Sequence, residues 1–372
     1  MKKNILIIDD SALMRRVISD IIRSDERLQV ADLAVNGQNA LDLLVEDSAR
    51  YDALIMDINM PKMNGLELLE QINKHHIKAT VIVVSTVAKE GAKETIRALE
   101  LGAFDFVTKP DSFVEAKSES FQQKIIETLA VALKLDNRYD KKTERPSSQS
   151  RNLRSTSLDQ MAGPRIRTGV PERKGNVKPG MKLVALACST GGPKALQSVV
   201  PYLPADLDAA FLIVQHMPEG FTNSLATRLD EMSPIKVKEA EDGETLHKGV
   251  VYIAKGGNQM KVKKGSGDTY RLSVVCEPPR NGLRPCADIM YESLVSSDYE
   301  EITCVVLTGM GGDGTSGIKQ LDETNNIYVI AQDAQTSTVY GMPKVIAESG
   351  LVDEVLPLNK IADAITKHVG VR

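Results

Sequence analysis

The residues that could do covalent chemistry gather at a few turns. In Cys188-Ser189-Thr190-Gly191-Gly192-Pro193 a hydroxyl follows the short apolar run Lys182 to Ala187, which has the pattern of a buried strand. Two glycines permit a sharp turn and leave N–H groups exposed, and Pro193 suits the first turn of a following helix. A serine at such a turn sits near the partial positive charge of a helix N-terminus, where an oxyanion could be stabilised. Ser189 is therefore a candidate nucleophile; an ordinary helix N-cap has the same local pattern. Cys188 beside it is a competing nucleophile.

A serine needs a base, and the chain has 5 histidines. His75 and His76 lie in the first half, His247 in a turn-like segment, and His368 in the last helix. His216 differs, because it ends the apolar run Ala209 to Gln215 and precedes Met217-Pro218-Glu219-Gly220. Open α/β sheets hold their ligands at such strand tips. A hydrogen-bonded structural histidine is the alternative. The third strand-like run, Ile302 to Leu307, leads into Thr308-Gly309-Met310-Gly311-Gly312-Asp313-Gly314. Asp313 could there orient His216 and stabilise its charged form.

A second group is acidic. Ile5 to Ile8 ends in Asp9-Asp10-Ser11, Ala53 to Met56 ends in Asp57, Val81 to Val84 ends in Ser85, and Asp105-Phe106-Val107 leads to Thr108-Lys109-Pro110. Asp9, Asp10 and Asp57 at strand ends would crowd carboxylates unless a cation lay between them, and hard oxygen ligands suit Mg²⁺. A carboxylate there could accept a phosphoryl group, with Lys109 neutralising its oxygens and Ser85 donating to one. Each residue alone would also fit a solvated strand-end position.

These residues require strands that alternate with helices, hence right-handed crossovers and parallel sheets. The chain of 372 residues, 42% hydrophobic, is long enough for two cored domains. Residues 1–135 carry one strand–helix alternation and residues 181–372 another. Val250 to Ile253 and Tyr270 to Val274 alternate like a hairpin, expected as antiparallel strands added to the second sheet. Residues 136–180 lack periodicity and are rich in Pro, Ser, Gly and Arg, which predicts a flexible, basic linker.

Net charge is −4, which argues against a nucleic-acid-binding surface, and no basic recognition helix is legible for a DNA-binding output. No apolar run approaches the roughly 18 residues a membrane span needs, and Met1-Lys2-Lys3-Asn4 leads directly into a strand, so a cytoplasmic protein is expected. Cys188, Cys276, Cys286 and Cys304 lack metal or disulfide spacing.

Two resemblances follow from these motifs. The runs IDD, DINMPKMNG, VST and TKP resemble the response-regulator receiver domains, from Met1 to about Leu135. This implies a flavodoxin-like (βα)5 fold, Asp57 as the site phosphorylated by a histidine kinase, and Phe106 as an aromatic whose rotamer follows phosphorylation. The runs STGGP, QHMPEGFT, TGMGGDGTSG and VYGMPK resemble the catalytic domain of the chemotaxis protein-glutamate methylesterases, over nearly all of Met181 to Leu358.

The second resemblance implies a doubly wound α/β domain with an antiparallel hairpin. It also implies that Ser189 attacks glutamyl methyl esters of membrane chemoreceptors, that His216 is the base, and that Asp313 orients it. Thr190 and the backbone at Met310 fall where that family lines the site and oxyanion hole, and glutamine deamidation is an implied second activity without a cofactor. Three departures bear on substrate fit. Ala187 replaces a usual glycine, with some strain expected at the turn; Ala254-Lys255-Gly256-Gly257-Asn258-Gln259 lacks a usual histidine; and Cys286 replaces a usual serine. A receiver-controlled adaptor with a decayed esterase site is the alternative.

Overall fold

The structure, a computed structural model, describes residues 1–86, 88–110, 112–135, 167 and 177–372. Most of the expected linker, 136–180, lies outside the described residues.

The first unit runs β1 (Lys3–Ile8), α1 (Ala12–Ser24), β2 (Leu28–Ala34), α2 (Gly37–Asp47), β3 (Ala53–Asp57), α3 (Gly65–Lys74), β4 (Val81–Ser85), α4 (Lys89–Glu100), β5 (Asp105–Thr108), α5 (Phe113–Ala116) and α6 (Glu119–Ala132). Its strands pair in parallel in the order β2-β1-β3-β4-β5. Ile5 to Ile8 are fully buried because helices cover both faces, which is why this strand reads as a continuous apolar run. The strand order reverses beside β1, so the turns after β1 and β3 open onto one crevice. Two side-chain caps start the flanking helices there. Ser11 accepts from Met14 N–H, and Asn64 forms a reciprocal capping box with Glu67.

The second unit runs β6 (Lys178–Cys188), α7 (Gly192–Gln197), β7 (Ala209–Gln215), α8 (Phe221–Met232), β8 (Lys236–Glu239), β9 (Val250–Ile253), β10 (Gln259–Lys264), β11 (Tyr270–Val275), α9 (Ala287–Glu292), β12 (Tyr299–Val306), α10 (Thr315–Thr324), β13 (Ile327–Gln332), α11 (Met342–Ser349), β14 (Glu354–Leu356) and α12 (Leu358–Val369). Seven strands form a sheet in the order β14-β13-β12-β6-β7-β9-β8, every pair parallel. The order reverses at β6, which lies between β12 and β7. β6 begins at Lys178, inside the span assigned to the linker, because Lys178 pairs with Tyr299.

The expected hairpin exists with different strands. Val250 to Ile253 pairs in parallel with β7 and β8, whereas Tyr270 to Val275 pairs antiparallel with Gln259 to Lys264 as a separate ribbon. Lys261, Lys263 and Lys264 masked that strand in the sequence. Alternation alone cannot distinguish a lysine-rich ribbon from a loop.

The two units touch. α4 packs on α8, the Phe106 and Phe221 rings lie 4.6 Å apart, and Arg228 pairs with Glu100 at 2.6 Å. One contiguous apolar cluster runs from Ile96, Leu99 and Phe106 to Leu196, Phe211 and Phe221. Among the described residues no helix is long and apolar enough to cross a membrane.

Candidate functional site

Ser189, His216 and Asp313 follow β6, β7 and β12, three neighbouring strands at the switch point of the sheet. Cys188 is in register with Gln215, and His216 N–H donates to Cys188 C=O at 3.1 Å, so Ser189 and His216 leave the sheet side by side. Ser189 N–H donates to Thr308 C=O at 3.0 Å, which draws the Asp313 loop against the same turn. Gly309 is required for this approach, since a Cβ there would lie 2.8 Å from Ser189 Cβ and 2.4 Å from Met342 Sδ. Gly191 supplies the left-handed residue of the serine turn, with φ +77, and Pro193 enters the first turn of α7. Ala187 is an extended, buried strand residue that precedes the turn, so the strain expected there is absent.

The imidazole of His216 meets Asp313 through Nε2, 2.8 Å from Oδ2, with both side chains nearly buried. Nδ1 is then the ring nitrogen not engaged by the carboxylate, and among the described residues no hydrogen bond joins it to Ser189 Oγ. Asp313 has further donors in Ala287 N–H at 2.6 Å, Asp288 N–H at 3.0 Å and the Cys286 thiol at 3.1 Å. Burial by itself would raise the Asp313 pKa. The imidazole and the two backbone donors outweigh it and hold the carboxyl at about 2. Asp288 returns the favour across the helix pair, because its Oδ1 accepts from Gly314 and Gly317 N–H at the start of α10. Cys286, one of the three donors from this segment, has its thiol pushed up to about 12 by burial and then by Asp313, so it donates as a neutral group. Burial also raises Cys188, which makes a poor competing nucleophile.

The oxyanion candidates share a construction. The C=O of Ser189 accepts from Gly192 N–H at 2.7 Å, and that of Gly309 accepts from Met342 N–H at 2.8 Å and Gly341 N–H at 3.1 Å. In a trans peptide the following N–H points the opposite way, so the N–H groups of Thr190 and Met310 face away from these anchors. The Met310 side chain is exposed at the rim. The Thr190 hydroxyl is engaged elsewhere, donating at 2.8 Å to Asp105 of the first unit.

Sequence reasoning missed two buried amides. Gln215, apparently the polar end of an apolar strand, donates to the carbonyls of Ser189 and His216. Gln259, noted only as the absence of a histidine, donates to Leu283 C=O and accepts from Cys286 N–H, which holds the loop carrying Cys286. The clue available for both was a glutamine beside strand residues, because an amide buried there must have partners.

The acidic group assembles as the strand ends dictate. Carboxylate oxygens of Asp9, Asp10 and Asp57 lie within 4.8 Å of one another, a hard donor set that fits Mg²⁺. Lys109 Nζ reaches Asp57 Oδ2 at 2.7 Å and Asp9 Oδ2 at 3.2 Å. Burial raises the Asp9 pKa more than Lys109 lowers it. Lys109 is raised, because its two carboxylates outweigh the burial that opposes them. Ser85 Oγ donates to Gly91 C=O at 3.2 Å and accepts from Thr95 at 2.6 Å, so its hydroxyl is turned into α4 and away from Asp57. Phe106 is buried against Phe221, five residues after His216.

Comparison with known proteins agrees with both halves. Residues 5–118 match the response regulator receiver domain, and residues 184–365 match the CheB methylesterase domain. A protein-glutamate methylesterase/protein-glutamine glutaminase of Syntrophomonas wolfei is 39% identical over 367 residues, covering 98% of each chain. One from Halalkalibacterium halodurans is 41% identical over 368 residues, covering 98% of this chain and 97% of the relative. The Thermotoga maritima CheB methylesterase catalytic domain is 40% identical and covers 51% of this chain and 99% of its own, with a TM-score of 0.49. With full-length relatives at this identity, the chain belongs to the CheB family of chemotaxis proteins, which join a receiver domain to a methylesterase domain.

Proposed function

We propose that the chain is a phosphorylation-regulated serine hydrolase that removes methyl esters from glutamyl side chains of chemoreceptors and deamidates receptor glutamines. The observation that carries the reading is the 2.8 Å contact of His216 with Asp313 on strand ends flanking Ser189. His216 takes the Ser189 proton as the oxygen attacks the ester carbonyl. The oxyanion rests on the N–H groups of Thr190 and Met310, and His216 returns the proton to the departing methanol. Water, deprotonated by His216, then releases the glutamate side chain and restores Ser189. With a glutamine substrate the leaving group is ammonia.

Asp57 is the phosphoryl acceptor for a chemotaxis histidine kinase. Asp9, Asp10 and Asp57 would hold Mg²⁺, which neutralises phosphoryl oxygens when bound, and Lys109 supports the same charge. The unphosphorylated receiver restrains the esterase site through Thr190 with Asp105, Phe106 with Phe221, and Arg228 with Glu100. Modification of Asp57 draws Ser85 and Phe106 toward the phosphoryl group and shifts the population to an open arrangement. On this reading residues 1–135 are the switch, 136–180 the tether and 181–372 the enzyme, and the protein acts in the cytoplasm.

The test is methanol release from methylated receptor. Ser189→Ala should reduce turnover by about 10⁴-fold or more, and undiminished turnover would refute the serine mechanism.

A further inference from the structure

Gln215 is 1% exposed and is the last residue of β7, yet its side chain works sideways, on β6. Its Nε2 lies 3.0 Å from Ser189 O and 3.2 Å from His216 O, while its Oε1 accepts from Cys188 Sγ at 3.0 Å. The neighbours fix which way the amide faces. Two carbonyls can only accept, so they face the NH₂ group, and the thiol is the donor left for Oε1. The fit leaves no slack, since a Cβ on Gly192 would stand 1.9 Å from Oε1.

We propose that Gln215 is the positioning residue of the hydrolytic site, a single buried amide that locks the peptide after Ser189 to the peptide after His216. The inference rests on the Ser189–His216 mechanism and adds to it the residue that sets its geometry. Ser189 C=O is held by Gln215 and by Gly192 N–H, so Thr190 N–H is presented on the opposite side of that peptide. Gly191 and Gly192 follow, and glycines offer little resistance if the peptide plane rotates. Without the amide the oxyanion donor would swing, and the nucleophile and base turns would lose their only side-chain tie among the described residues. A displaced donor or nucleophile acts on the transition state and leaves ground-state binding of the ester largely intact.

The test uses the full chain with methylated receptor and a fluorophosphonate probe that labels the serine. Gln215→Met, apolar and of similar length, should lower kcat about 10²-fold and slow labelling comparably, with KM within about 2-fold. Cys188→Ala should lower kcat about 3- to 10-fold by releasing Oε1, while Cys188→Ser, which keeps a donor, should stay within about 2-fold of the parent. Thermal unfolding identifies a variant that fails to fold; should Gln215→Met do so, the Cys188 pair decides. A folded Gln215→Met with parental kcat, a defect confined to KM, or equal behaviour of Cys188→Ala and Cys188→Ser would overturn the proposal. Turnover or labelling that survives Ser189→Ala would instead overturn the serine mechanism beneath it.

Discussion

The molecule carries two carboxylate sites at the C-terminal ends of parallel strands, each beside a switch point, and they handle charge in opposite ways. At the receiver site three carboxylates cluster, one lysine pairs with two of them, and burial raises Asp9 in spite of Lys109. At the esterase site one carboxylate meets an imidazole, two backbone N–H groups and a thiol, and its pKa drops to about 2. On the proposed function the contrast separates two tasks. A site that takes up and releases a cation and a phosphoryl group keeps its negative charge under-compensated, ready for a visitor. A site that must stabilise an imidazolium on every cycle keeps its charge permanently oriented.

The sharpest way to break the comparison is to neutralise the fixed charge. Asp313→Asn should lower kcat about 10³- to 10⁴-fold, because the amide can orient the ring in the wrong tautomer and no longer stabilises its charged form. Phosphorylation of Asp57 should be unaffected, as measured by incorporation of labelled phosphate in Mg²⁺. Retained esterase activity would mean that the carboxylate is structural.

The converse change acts on the visitor-dependent site. Asp57→Asn, or chelation of Mg²⁺ in the parent, should leave the basal esterase rate within about 2-fold and abolish its stimulation by a small-molecule phosphodonor. Glu100→Gln should mimic part of that stimulation, raising the basal rate a few-fold. It loosens the pair with Arg228, in which the guanidinium is partly exposed and the carboxylate nearly buried, while leaving Asp57 and Ser189 untouched. A basal rate unmoved by Glu100→Gln would remove this contact from the restraint.

Both constellations were legible because strand-end chemistry is written in contiguous residues. An apolar run followed by Asp-Asp, Ser-Thr-Gly-Gly or His-Met-Pro marks at once the element and the side chain it carries. What the sequence hid depends on pairing across the chain. The ribbon of Gln259 to Lys264 with Tyr270 to Val275 was obscured by its lysines, and Val250 to Ile253 was paired with the wrong neighbour. Gln215 and Gln259 were illegible for the same reason, since a buried amide is defined by partners 24 to 27 residues away. Likewise, Thr190 reads as a site-lining residue, but its bond to Asp105 spans 85 residues. Local patterns name the chemical groups; non-local partners decide their orientation.

The finest distinction between the two sites concerns the thiol. Cys286 is one of several donors to Asp313, so its removal should weaken the carboxylate's anchoring without abolishing it. The folded pKa of Asp313 lies below its ordinary value of 3.8, at about 2. Its contribution to stability is therefore complete above about pH 4 and is lost as pH falls through about 2. Cys286→Ala removes a donor and moves the folded value back toward the ordinary one. The variant should be less stable than the parent by about 0.5 kcal/mol above pH 4, with the difference closing as both protonate. Its kcat should fall no more than about 3-fold, and Cys286→Ser should restore both. Urea unfolding at pH 7 and at about pH 1.5, below the folded value, checks the sign, because a deficit that persists undiminished there would assign the loss to packing of the buried sulfur and not to the charge it serves.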